Sequence, residues 1–430
     1  MTDDRTRDET NGEETATTTA EDERQAEIES AKERAASARA LGLDATFTQR
    51  FVAAITGTGV VVTVLAILSA LVLGAFIIAF SEADVRTALG YFTARPSDTF
   101  AAAWSSVTDA YIALLRGSIG GSAQWSETLV AATPLILTGL AVAVPLRAGL
   151  FNIGAEGQLV AGGVAAGLVG FSFTGLPLLV HLPLAILAGM AGGMIYGWLP
   201  GILKARTGAH EVISTIMLNN IALLVSAWLI STALFRRPDR ADPISKSVEV
   251  SAQFPRFAQS LRVNTSLLLA IVLAGVIFWL VERSTRGFEL NAVGLNPDAA
   301  RTAGMNPGAT IVLAFATGGA LAGAGGAAMI LGLQHRLTIG FSAGVGFDGI
   351  TVALLGRGRI GGTVAAGLLM GALRAGGRSM QAQTGTSLDL VLVIQALIIV
   401  FIAAPGLIRA LFRIKADDLV AGQVAKGWGS

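Results

Sequence analysis

Residues 157–203 hold no Asp, Glu, Lys or Arg. A helix crosses a bilayer with about 20 mostly apolar residues, so this run is long enough to cross twice. Soluble domains carry roughly 25% charged residues; here the fraction is 14%, against 53% hydrophobic. Glycine and proline interrupt helices, so the run should break near Gly175-Leu176-Pro177 or His181-Leu182-Pro183.

The same reading applied along the chain marks Val60–Phe80, Leu129–Leu146, Val212–Phe235, Thr265–Val281, Thr310–Leu333 and Leu388–Ala404 as spans. Ser342–Gly356 and Gly361–Leu373 are shorter, Gly-rich and separated by Gly356-Arg357-Gly358-Arg359. They fit a re-entrant pair, which a membrane tolerates where protein or water covers the backbone, and equally two short tilted spans. Glu82–Trp125 mixes Arg86, Arg95 and Arg116 with apolar residues and reads as an external or interfacial segment. The expected fold is an all-α polytopic membrane protein with about ten transmembrane or re-entrant helices. The 52 glycines suit it, because small residues let helices approach closely in lipid. Val164-Ala165-Ala166-Gly167-Leu168 recurs at 364–368; a duplicated half and chance in an Ala/Gly-rich chain both account for it.

Residues 1–50 differ in kind. Eleven of the first 30 residues are acidic, from Asp3 to Glu29. This composition predicts a disordered acidic cytoplasmic tail rather than a secretory signal. Residues 51–410 are the expected transmembrane domain, and 411–430 a C-terminal cytoplasmic tail. An even number of crossings puts both termini on one side. Basic residues at Arg147, Lys204, Arg206, Arg283, Arg286, Arg301, Arg357 and Arg359 mark that side as cytoplasmic. The opposite loop, 236–264, also carries Arg236, Arg237, Arg240, Lys246, Arg256 and Arg262, which blurs the bias. There is no Cys, so disulfides, thiol chemistry and Cys-ligated metals are excluded. A net charge of +1 points to no nucleic-acid partner. His181, His210 and His335 are scattered, no nucleophile–base constellation appears, and no phosphate-binding loop is present. Gly356-x-Gly358-x-x-Gly361 lies between apolar helices rather than after a strand, so it is no dinucleotide site. The reading is a polytopic membrane protein without a cofactor, not an enzyme.

Three stretches carry polar groups into this apolar frame. Phe151-Asn152-Ile153-Gly154-Ala155-Glu156-Gly157-Gln158 places an Asn, a Glu and a Gln where two uncharged runs meet. A carboxylate there is costly unless it has a task. Glu211 opens a span, where its charge complements the helix dipole. Asn219 and Asn220 lie about two turns deeper and point roughly 100° apart; Asn219 stacks below Thr215 and Asn220 below Ile216. Lining a polar path and bonding between helices would each satisfy Asn219. Finally, Asn296-Pro297-Asp298 has the form of a helix start, with an N-cap, a proline at the first position and an acid at the positive end. The expected helix is Asn296–Ala303, ended by Gly304. A loop with its own capped helix fits a docking element, and also a plain interfacial linker.

Four stretches together resemble one family. They are 149–158 around Asn152 and Glu156, Glu211–Asn219, Ala292–Arg301, and Gly346-Phe347-Asp348-Gly349 continuing to Gly356. The family is the branched-chain amino-acid/sugar/nucleoside class of ABC importer permeases, and the first stretch is most similar to nucleoside permeases of the basic-membrane-protein type. The resemblance covers about residues 55–410. It implies a plasma-membrane permease that pairs with a second permease subunit, identical or different. Two ATPase subunits hydrolyse ATP, and an extracellular binding protein delivers a small polar solute. It further implies that Asn152, Glu156, Gln158, Asn219 and Asp348 serve the translocation path. Within the loop 283–309, Glu289, Asn296, Asp298 and Arg301 would meet the ATPase. A nucleoside is the expected solute; a sugar or branched-chain amino acid is the alternative within the family. An ion-coupled transporter using Glu156, Glu211 and Asp348 as relays is the alternative outside it.

Overall fold

The computed structural model describes residues 58–239 and 242–413. The acidic tail expected at 1–50 and nearly all of the C-terminal tail lie outside the described residues. The described chain is helical. It runs α1 (Thr58–Ser81), α2 (Ala83–Leu89), α3 (Pro96–Ile119), α4 (Ser122–Arg147), α5 (Ala155–Ser172), α6 (Leu178–Thr207), α7 (Glu211–Ser231), α8 (Ser266–Arg283) and α9 (Thr285–Leu295). It continues with α10 (Pro297–Thr302), α11 (Pro307–Met329), α12 (Val345–Leu355), α13 (Ile360–Thr384), α14 (Leu388–Ala403) and α15 (Pro405–Leu411). Residues 67–407 form one compact unit, and all that follows concerns it.

Among the described residues seven helices are long and apolar enough to cross a membrane, namely α1, α4, α6, α7, α8, α13 and α11 with its extension to Gln334; α12 and α14 are shorter apolar helices. The long uncharged run breaks at the first expected site: α5 ends at Ser172 and α6 starts at Leu178, with Gly175 at φ +80°. His181 and Pro183 lie inside α6.

Burial sorts the helices into two layers. The apolar window of α4 is 83% buried, whereas those of α6 and α8 are 22% buried. α4 is thus the central post, packed by α11, α12 and α13. α6, α7 and α8 show Leu179, Leu224, Trp228 and Trp279 outward, as expected of helices whose solvent is lipid. Close approach is made by glycine. On α6, Gly189, Gly193 and Gly197 face Gly319 and Gly323 of α11 so tightly that a Cβ at Gly319 would lie 2.2 Å from the Gly193 carbonyl oxygen. Such small-residue seams trade side-chain volume for backbone contact.

One expectation is corrected. Gly361–Leu373 is not a short element: it is the first half of α13, which runs 25 residues to Thr384. The helix continues through Arg374 and Arg378, both good helix formers, which reach the carboxylates of Asp348 and Glu127 respectively. Glu82–Trp125, expected as an external or interfacial segment, contains the 24-residue helix α3, which is not among the helices long and apolar enough to cross a membrane. Its small residues nest on α13, with Ser118 Oγ donating to the Ala372 carbonyl at 2.7 Å.

The loop 236–264 is described at 236–239 and 242–264. Its backbone bridges to the segment after α11, with Ser245 N donating to Leu337 O at 3.0 Å and Val248 N to His335 O at 2.9 Å. Its cations are partly absorbed: Arg237 pairs with Asp239, Arg262 with Glu127, and Lys246 lies over the Phe171 ring.

Candidate translocation site and coupling loop

The polar stretch before α5 sits in the interior: Asn152 is fully buried, and Glu156, Gln158 and Asn219 are at most 2% exposed. Asn152 Nδ2 donates to the Ala141 carbonyl (3.1 Å) and to Gln158 Oε1 (3.0 Å). Its Oδ1 accepts from Gly154 N and from Gln158 Nε2, both at 3.1 Å. The two amides therefore face each other head to head, and Asn152 uses both donors and both acceptor positions. This ties the bottom of α4 to the first turn of α5.

Helix starts leave N–H groups without intrahelical partners. Here one partner comes from another helix. Asn219 on α7 accepts from Gly157 N at 2.8 Å and donates to Ile153 O at 2.9 Å. Thr215 is buried on the same face, whereas Asn220 is exposed and bonds only back to Ile216 O, the separation that a 100° offset requires.

Glu156 lies in the first turn of α5 and accepts from Gly346 N, in the first turn of α12, at 2.7 Å. Among the described residues no cation pairs with it. Two helix N termini, each equivalent to about half a positive charge, meet at this carboxylate and supply the field a cation would otherwise give. Gly346 is required by the approach: a Cβ there would stand 2.3 Å from Glu156 Cα. The other two candidate relays are paired, Glu211 with Lys204 at 2.9 Å and Asp348 with Arg374.

Asp348 stands apart from the buried four. It is half-buried at the start of α12, ion-paired to Arg374 of α13, and next to Phe347, which is 44% exposed. Arg378, one turn further along α13, reaches Glu127 at 3.5 Å, and Arg262 joins the same carboxylate at 3.0 Å. Sequence reading missed Glu127, Arg374 and Arg378. The i, i+4 spacing of the two arginines was the available signal.

The 283–309 loop holds two helices, not one. Asn296 caps α10 as expected, its Oδ1 accepting from Asp298 N and Ala299 N at 3.0 Å, and Gly304 follows at φ +85°. The unexpected helix is α9, capped by Ser284, whose side chain accepts from Gly287 N at 3.2 Å. That Ser was a legible N-cap signal. Glu289 pairs with Arg286 and Asp298 with Arg301, each one turn apart on its own helix. α9 buries Leu290 and Val293 and exposes Phe288 and Leu295, the latter 89%. Its Gly294 rests on the α4–α5 turn, where a Cβ would lie 2.3 Å from the Arg147 carbonyl oxygen. The loop is therefore in backbone contact with the turn that leads into Asn152. No group of three or more His, Asp or Glu able to hold a metal occurs among the described residues.

Comparison with known proteins agrees with this architecture. The family described as branched-chain amino acid transport system / permease component matches residues 125–403. The guanosine ABC transporter permease protein NupP of Bacillus subtilis is 41% identical over 71% of this chain and 88% of its own length. The nucleoside ABC transporter permease protein NupB of Lactococcus lactis is 37% identical over 74% of this chain and 89% of its own. The glucose ABC transporter permease protein TsgB13 of Haloferax volcanii is 36% identical over 68% and 80%. No solved structure matches. The chain belongs to this permease family and is a multi-pass membrane subunit of an ABC transporter.

Proposed function

We propose that this permease carries nucleosides into the cell, driven by a separate ATPase subunit and fed by an extracellular binding protein. The observation that carries the reading is the likeness, over most of their length, to two permeases named for guanosine and nucleosides. The glucose-named relative favours a sugar as the second reading; the two solutes share a hydroxyl-bearing ring.

The path runs along the α12–α13 face. Phe347 offers an exposed ring for a base to stack on, and the Asp348–Arg374 pair sets acceptors beside donors for ribose hydroxyls and base edges. Asn152, Glu156, Gln158 and Asn219 serve the path from behind. They lock α4, α5, α7 and α12 in register, and the Glu156–Gly346 bond is the contact that parts when α12 moves. A second permease subunit, a copy or a different chain, faces this surface. With both termini cytoplasmic, the α9–α10 loop meets the ATPase through Phe288 and Leu295, with Glu289, Asn296, Asp298 and Arg301 around them. Gly294 passes the movement to the Arg147–Gly149 turn.

The test is uptake of labelled nucleosides, sugars and branched-chain amino acids in cells lacking this gene, complemented by the wild-type or the Asp348→Asn chain. Nucleoside uptake alone should vanish with the gene and fall at least tenfold in Asp348→Asn. Loss of sugar or amino-acid uptake instead would overturn the solute, and full uptake by Asp348→Asn would remove that residue from the path.

A further inference from the structure

A cleft of about 730 Å³ opens between the ends of α4 and α8 and the α12–α13 turn. One half of its lining is apolar: Leu146, Phe278, Leu354 and Ile360. Phe278 and Leu354 are 48% and 42% exposed, on helices that are apolar along their length. The other half is basic. Arg147, Arg357 and Arg359 face a single acid, Glu282, so two positive charges are in excess. Arg147 is committed: its Nη2 pairs with Glu282 at 2.8 Å and its Nε donates to Gly358 O at 3.1 Å, which pins the turn. Arg357 and Arg359 have no side-chain partner among the described residues. The turn holds them in place at a conformational cost, with Arg357 in the left-handed region at φ 54°. Beside Gly361 the space is open, since a Cβ there would meet nothing within 4 Å.

An exposed apolar wall on apolar helices and two unpaired guanidinium groups at the ends of those helices describe one ligand chemistry, a phosphate monoanion on an acyl-bearing molecule. Guanidinium groups fit phosphate oxygens in geometry and charge, and basic pockets between spans at this edge bind anionic headgroups. We propose that the cleft holds the headgroup of an anionic phospholipid, with Arg357 and Arg359 on the phosphate and the acyl chains along Phe278 and Leu354. Because Arg147 joins this turn to α4 and α8, lipid binding braces the end of the bundle on which the α9–α10 loop sits. This rests on the chain being a membrane permease and is independent of the solute it carries.

The test is native mass spectrometry of the detergent-purified full-length chain, titrated with phosphatidylglycerol, phosphatidylcholine or inorganic phosphate. Wild type should retain phosphatidylglycerol in preference to the other two. Arg357→Gln/Arg359→Gln should bind it about 30-fold more weakly, since each charge near the surface contributes about a factor of five. Arg357→Lys/Arg359→Lys should recover most of the binding and show that the turn still folds. Arg206→Gln/Arg283→Gln removes the same charge outside the cleft and should leave binding within about threefold of wild type. Equal binding of phosphatidylcholine, tighter binding of inorganic phosphate, or equal loss in the Arg206/Arg283 variant would each overturn the proposal. So would unchanged lipid binding by the glutamine variant, including the case where it loses the co-purifying ATPase, which would make the arginines a protein contact.

Discussion

At the start of α5, Asn152 directs both of its amide donors and both of its acceptor positions to groups inside the fold. On α10, Arg301 and Asp298 bond to each other one turn apart, both largely exposed. Both regions are rich in polar side chains, and sequence alone marked both. The difference lies in what removal would leave behind. A buried amide that loses its partner strands a donor or acceptor away from water, at a cost of about 1–3 kcal/mol. An exposed i, i+3 ion pair contributes at most about 0.5 kcal/mol to the fold. Polar residues that matter little to this chain's own stability are the ones free to serve another chain. Polar residues that hold helices together constrain motion instead.

The sharpest way to break the comparison is at Gly346, where the buried region has no slack. Gly346→Ala places a methyl against the backbone of Glu156, which cannot rotate aside, so the loss should be about 3 kcal/mol or more. In detergent the variant should aggregate or melt far below wild type. Gly361→Ala, a glycine beside open space, should melt as wild type does. Equal melting of the two would mean that α12 is loosely seated on α5.

Asn152→Leu comes next, at about 2–3 kcal/mol, because it strands the Ala141 carbonyl, the Gly154 N–H and the Gln158 amide at once. Adding Gln158→Leu should cost less than its single-variant effect by about 1 kcal/mol, the coupling expected of two side chains that share hydrogen bonds. Strict additivity in the melting data would show that the two amides act separately.

Arg301→Ala and Glu289→Ala should move stability by no more than about 0.5 kcal/mol while abolishing most uptake at normal surface expression. Wild-type uptake in both would leave the loop as a linker, one of the two readings its cap signals allowed.

What the residues revealed in advance follows the range of the interactions. Spans rest on composition summed over a window, and Asn296-Pro297-Asp298 rests on bonds two or three residues long, so both were legible. So was the separation of Asn219 from Asn220, a matter of helical pitch. The partners were not. Glu156 meets Gly346 across 190 residues, and Gly294 meets the Arg147 carbonyl across the whole of α5–α8; nothing local encodes either contact. The end of α13 was misread for the same reason. Arg374 and Arg378 lower the local hydropathy, and the carboxylates they meet, Asp348 and Glu127, are distant in sequence. Glycines at the closest contacts are visible as letters, yet their density along the chain hides which of them face a backbone.

His335 tests the rule from the opposite side, because it is a half-buried residue whose Nδ1 is left incomplete. It follows the π-helical turn Ile330–Gln334 at φ 54°, and its Nδ1 is buried without a hydrogen-bond partner. Burial first, and then the nearby Arg256 and Arg336 charges, hold the imidazole below its usual pKa. The unfolded chain therefore takes up this proton more readily than the folded one. Stability from this site is intact above the unfolded value near 6.5 and is lost as pH falls from there toward the folded value. Asn tolerates the left-handed backbone and does not titrate. His335→Asn should thus flatten the fall in melting temperature between about pH 7 and pH 5, a smaller effect than any above. An unchanged slope would mean that His335 binds its proton alike in the folded and unfolded chain, and that its Nδ1 is not a stranded group.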